Sequence, residues 1–268
     1  MAAASPGISP EQLAQLKALL QAVAPKSPDW MDGLKAVGEF IGHAGWPIVA
    51  LIGLILFRGP IGRIRKVGWK DFSVEVGREL DAAEKRASAE TPEARKGPPT
   101  AADVAQSGQV ARLAQGVDIQ AVRATAVELA AEYERVRASM PSGDARTRRM
   151  EVVVSKMRAL GEAVIPLRHE FRVSPTPGQR LVAIASMQVS PDYEALDWLV
   201  QCVKSEKPFM GYHAALALLV AARDPRASAY LPELRAARRG IEAIEAGLPA
   251  DSDRTSILAQ FKVLAPET

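Results

Sequence analysis

Few residues of this chain carry the usual chemistry of a site. They are three histidines, one cysteine and a handful of clustered arginines. Glu39 and His43 stand one helical turn apart, a spacing that suits a hydrogen bond and, if the segment lies in an apolar environment, a pore or sensing role. His169 is followed by Glu170, and His213 sits in an Ala-rich run. Neither belongs to an HExxH or another metal-ligand spacing. The lone Cys202, beside Leu199 and Val203, reads as a buried thiol, and one cysteine excludes an intrachain disulfide and a multi-cysteine zinc site. No nucleophile elbow, Walker loop or GxGxxG occurs. No catalytic, metal-binding or cofactor-binding residue is therefore expected, and no enzyme activity. Arg146, Arg148 and Arg149, and also Arg235, Arg238 and Arg239, read as solvated faces, with Glu242 and Glu245 placed for helical ion pairs. In EKPFMGY, Phe209 and Tyr212 lie one turn apart. With Trp198 they are the residues assigned to a partner-binding patch, core packing being the competing role.

The elements that must position these residues are helical. Aromatics make up only 5% of the 268 residues, while Ala, Leu, Arg and Glu are abundant, which favours helix over sheet. Net charge is +3 with a pI near 9.0, and five cations between Arg58 and Lys70 more than account for the excess. A basic cluster beside an apolar run points to a membrane surface, and nucleic-acid binding is not expected.

That apolar run, GWPIVALIGLILF, is uncharged from Gly45 to Phe57. Extended back to Val37 it reaches 21 residues, and about 20 suffice to cross ~30 Å of hydrocarbon. A single transmembrane helix is expected at about 37–57, within a helical stretch 30–57. Trp46, Phe57, Arg58, Arg63, Arg65, Lys66, Trp69 and Lys70 are the expected lipid and headgroup contacts. The cations follow the span, so the N-terminus is expected outside and the C-terminal side in the cytoplasm. Gly38 and Gly42 form a GxxxG that would let two such helices associate, so a homo-oligomer is one expectation. No cleavable signal peptide is expected, because Met1–Ser9 lacks a basic region.

Around the span, residues 1–29 hold an amphipathic helix (9–24) and a turn. Residues 58–87 form a basic juxtamembrane segment in which DFSVEV alternates Phe72, Val74 and Val76 against Ser73 and Glu75, as a short strand would. Residues 88–106, rich in Ala, Pro, Glu and Thr, read as a flexible linker. Residues 107–268 form a helical domain. Long helices are expected at 118–139, with Ile119, Val122, Ala126, Leu129 and Tyr133 inward, and at 145–165, with Met150, Val153, Val154, Met157, Leu160 and Val164 inward. Shorter ones follow at 180–189, 193–206, 208–223, 227–247 and 252–264. Shifting 180–200 by 34 puts Pro191 on Pro225, Ala183 on Ala217, Ile184 on Leu218 and Val200 on Leu234, a helical-pair period.

Two resemblances rest on these residues. Ala214–Leu218 followed by Asp224-Pro225-Arg226-Ala227 resembles HEAT-type repeats over about 178–240, which implies an all-α solenoid or bundle that binds partners. Trp46-Pro47, the apolar run, Phe57-Arg58-Gly59-Pro60-Ile61 and Arg63–Lys66 resemble single-pass anchors of the bacterial inner membrane, some of which serve as adaptors or effectors in signalling and phage defence. The expectation is a membrane-anchored, non-enzymatic adaptor that contacts anionic headgroups and presents its cytoplasmic helical domain to a protein partner. The alternative is a membrane-disrupting effector activated by oligomerisation.

Overall fold

The computed structural model describes residues 72–267, apart from 92, 93 and 95. The 9–24 helix, the expected span with Gly38 and Gly42, and the headgroup contacts Trp46, Phe57, Arg58, Arg63, Arg65, Lys66, Trp69 and Lys70 lie outside the described residues. Among those that are described, no helix is long and apolar enough to cross a membrane, and every regular element is a helix.

The first, α1, covers 72–89. It replaces the strand expected at DFSVEV. The alternation there spans five residues, whereas Phe72, Val76, Leu80, Ala83 and Ala87 recur at helical spacing through the whole segment. Helix formation buries all five and turns Val74 out to solvent. The flexible linker expected at 88–106 is also corrected. Helix α2 begins inside it (Ala101–Leu113), started by a capping box in which Thr100 and Asp103 bond each other's backbone N–H.

The remaining helices fall close to the expected positions, apart from the unexpected five-residue α5 (Arg168–Arg172): α3 (Ile119–Ser139), α4 (Asp144–Leu160), α6 (Pro177–Val189), α7 (Leu196–Ser205), α8 (Pro208–Arg223), α9 (Leu231–Glu245) and α10 (Ser252–Leu264). Asp118 and Asp251 cap α3 and α10 through their carboxylates, and a proline opens α6, α8 and α9. Gly143 turns the chain from α3 into α4 at φ 146°, a conformation open to glycine at little cost.

Helices α4, α6, α8 and α10 pack in succession, each against the next. Helix α3 lies on α4 and α6, and α7 lies on α8 and α9. The 34-residue period reappears in the backbone, since 3-10 turns at Tyr193–Ala195 and Ala227–Ala229 occupy equivalent places before α7 and α9. Small residues allow the close spacing. A Cβ on Gly178 would stand 2.4 Å from the Ala130 carbonyl oxygen, so α6 meets α3 there backbone to backbone. Tyr133, Phe171, Met157 and Phe261 are fully enclosed, and Phe171, Met157 and Phe261 each contribute about 1.5–3 kcal/mol by the area they remove from water.

A four-charge network fastens α1 to this body. Glu84 of α1 accepts from Arg149 at 2.8 Å and lies 3.4 Å from Lys156, and both cations also reach Glu132 of α3, at 3.0 and 2.7 Å. Arg149, expected on a solvated face, is thus a tie between helices.

Candidate functional site

Helix α4 buries two charged residues, Glu151 and Arg158, two turns apart on the side that carries Val154. Helix α8 answers with the fully buried His213, and α6 with Gln188. Arg158 Nε donates to Gln188 Oε1 at 2.7 Å, and Gln188 Nε2 donates to the His213 carbonyl at 2.8 Å. The His213 ring sits with Nδ1 3.4 Å from Gln188 Nε2 and Nε2 3.4 Å from Glu151 Oε1. Burial pushes Arg158 below the ordinary arginine value, and the charge of Glu151 is the main influence opposing that.

Two atoms of this cluster are left over. Among the described residues, Glu151 Oε2 is enclosed and meets no hydrogen-bond donor, and His213 Nε2 has no hydrogen bond either. An ionised carboxylate is acceptor-only, and leaving it without donors inside a protein is costly. Glu151 also lines a cavity of about 170 Å³, whose other walls are Thr147 of α4, Pro208, Phe209 and Tyr212 of α8, Asp251 and Asp253 at the start of α10, and Lys96. Glu151 is the most enclosed residue of that lining, its side chain 4% exposed.

The outer parts of the cavity are already engaged. Lys96 Nζ bonds Asp253 at 2.8 Å, which holds the Lys96 ammonium above its usual value, and Asp251 accepts from the Arg254 backbone N–H. Tyr212 donates its hydroxyl to the Lys96 carbonyl at 2.7 Å, and burial pushes that phenol up to about 12. Arg158 Nη2 donates to the Gly97 carbonyl at 3.3 Å. The chain around Lys96 and Gly97 is therefore strapped over α4, α8 and α10.

The expected partner patch is divided by the fold. Phe209 and Tyr212 wall the cavity together. Trp198 does not line it; its ring lies under the Arg172 guanidinium, 5.5 Å away. Phe209 is also core, stacked on Tyr133 at 5.9 Å and edge-on to His213 at 4.6 Å. Cys202 is buried as expected, and burial pushes its thiol up to about 12. His169 is exposed, and Glu170 pairs with Arg123. The expected helical ion pair forms between Arg238 and Glu242 at 2.8 Å, while Glu245 turns to Lys262. Glu151 itself was missed. The available signal was a carboxylate interrupting the apolar face of Met150, Val153, Val154 and Met157. Among the described residues no group of three metal-ligating side chains comes together.

No protein-family model, curated protein or solved structure matches the chain.

Proposed function

We infer that this is a membrane-anchored interaction protein, held by the apolar segment 37–57 and presenting its helical domain on the cytoplasmic side to a protein partner. The observation that carries the interaction half is the cavity of α4, α8 and α10. Two of the three residues marked as a partner patch, Phe209 and Tyr212, wall it over a carboxylate without a donor. The successive packing of α4, α6, α8 and α10 and the repeated 3-10 turns support a HEAT-like scaffold, a form suited to binding surfaces. The membrane half rests on the one-sided cations Arg58–Lys70 after the uncharged run.

Fractionation of cells expressing the full chain tests both halves. The chain should stay in the membrane pellet through an alkaline wash, and release into the supernatant would sink the anchor. Crosslinking in those membranes should join the chain to a partner, and Phe209→Ala should reduce the yield of that product. An unchanged yield would remove the patch from the interaction.

A further inference from the structure

We propose that the cavity of α4, α8 and α10 receives a single basic side chain, a lysine ammonium or arginine guanidinium of the protein partner, with Glu151 as its counter-ion. The proposal rests on the interaction reading above and names the chemistry of what is bound.

Three features converge. Glu151 is enclosed, and its Oε2 lacks a donor. A cation bearing N–H groups supplies both the missing hydrogen bond and the opposite charge, and charge-assisted bonds of this kind are the strong ones. Among the described residues the lining carries three carboxylates against one ammonium, and that ammonium, on Lys96, is spent on Asp253 rather than Glu151. Phe209 and Tyr212 add aromatic walls, which attract ammonium and guanidinium groups but offer an anion nothing. Arg158 and His213 limit the negative field at Glu151, but the hydrogen bonds of Arg158 go to Gln188 and Gly97, and His213 Nε2 stands 3.4 Å from Oε1 without bonding it.

Size narrows the occupant. At about 170 Å³ the cavity is below the roughly 300–1,000 Å³ usual for small-molecule sites, and it matches one side-chain head better than a whole metabolite. Glu151, already 3.4 Å from His213 through Oε1, has one oxygen left to accept, which suits one charge. A free polyamine carries several, and the rim acid Asp253 is already paired. A side chain delivered by a partner fits better.

The test uses the full chain in detergent and four probes: the Nα-acetyl methylamides of arginine, lysine and norleucine, and spermidine. Calorimetric titration should show binding of the arginine or lysine compound and none of norleucine. Glu151→Gln should weaken that binding by about tenfold or more, from loss of one hydrogen bond to a charged group. Glu128→Gln, on the exposed side of α3, should leave it unchanged. Phe209→Leu, which keeps an apolar wall without the ring, should weaken it less than Glu151→Gln, and it supports the proposal independently should Glu151→Gln fail to fold. Equal binding of norleucine, undiminished binding by Glu151→Gln, or no binding by either basic amide would overturn the proposal. Spermidine binding tightly while both amides fail would assign the cavity to a free polyamine and also overturn it. If the probes fail while the chain stays in the membrane pellet, the cavity assignment is lost and the anchor stands. Release from the pellet with binding intact gives the reverse.

Discussion

Two buried ions of this domain are treated in opposite ways. Arg168, on α5, is enclosed, and its guanidinium donates to the Ser186 hydroxyl at 2.7 Å, the Ser186 carbonyl at 2.8 Å and the Ser190 carbonyl at 2.7 Å. Burial lowers it to about 10, still charged at neutral pH. The groove beside it is larger, about 450 Å³, yet its other arginines are committed too. Arg226 grips Asp224 through two bonds, and Arg172 lies over Trp198. Glu151, on α4, is just as enclosed and has an oxygen with no donor. A buried ion whose lone pairs or protons are met holds structure together; one left unmet costs stability unless something arrives to meet it. The larger groove is therefore the finished one, and the smaller cavity is the one with something left to bind.

Breaking this contrast starts at the finished site. Arg168→Met removes three hydrogen bonds and leaves the Ser190 carbonyl without that donor, so denaturant unfolding should show a loss of about 3 kcal/mol. A loss under about 1 kcal/mol would mean that Arg168 is no more structural than Glu151. At the other site, Tyr212→Phe cuts the bond from α8 to the Lys96 carbonyl and should cost about 1 kcal/mol, read in the same titration. Faster hydrogen exchange at 96–100 in that variant would sharpen the view of the segment as a strap over the cavity.

Acid gives a smaller, local effect. The hydrogen bond from Arg149 holds Glu84 below its ordinary value of 4.5. Its folded pKa is depressed, so its stabilisation is complete above that ordinary value and disappears as pH falls through the lower, folded one. The protection of α1 amides against hydrogen exchange, relative to the unstructured rate at each pH, should fall below about pH 4, and Glu84→Gln should abolish that extra acid sensitivity. An α1 equally acid-sensitive in the variant would show that Glu84 is not the group responsible. The smallest expected effect is the most telling one. Glu151→Gln removes a carboxylate whose Oε2 has no donor but also the charge that supports buried Arg158, so the two effects offset and stability should change by less than about 1 kcal/mol.

The helices were largely legible in the sequence, and the cavity was not. From α3 to α10 the apolar spacing is long and regular, and prolines or aspartates mark several starts, so α8 and α10 begin and end at the expected residues. DFSVEV misled because five alternating residues fit a strand as well as one face of a helix. Only the longer run to Ala87 separates them. The 88–106 segment misled because composition reports the lack of apolar side chains, whereas this chain is held by backbone carbonyls that accept from Arg158 and Tyr212. Phe209 and Tyr212 were visible as a pair one turn apart. Glu151, Asp251 and Lys96 come from separate parts of the chain, and their meeting depends on how α4, α8 and α10 pack.

The central claim, that Glu151 is a buried charge awaiting a basic partner, is tested most directly by thermal unfolding of the wild type and of Glu151→Gln. Each is measured with and without the acetyl methylamide of arginine. The expected result is a Tm that rises with the compound only in the wild type, while Glu151→Gln alone melts close to wild type. A Glu151→Gln chain that melts well below wild type, with neither protein responding to the compound, would make Glu151 a structural ion like Arg168 and contradict the account.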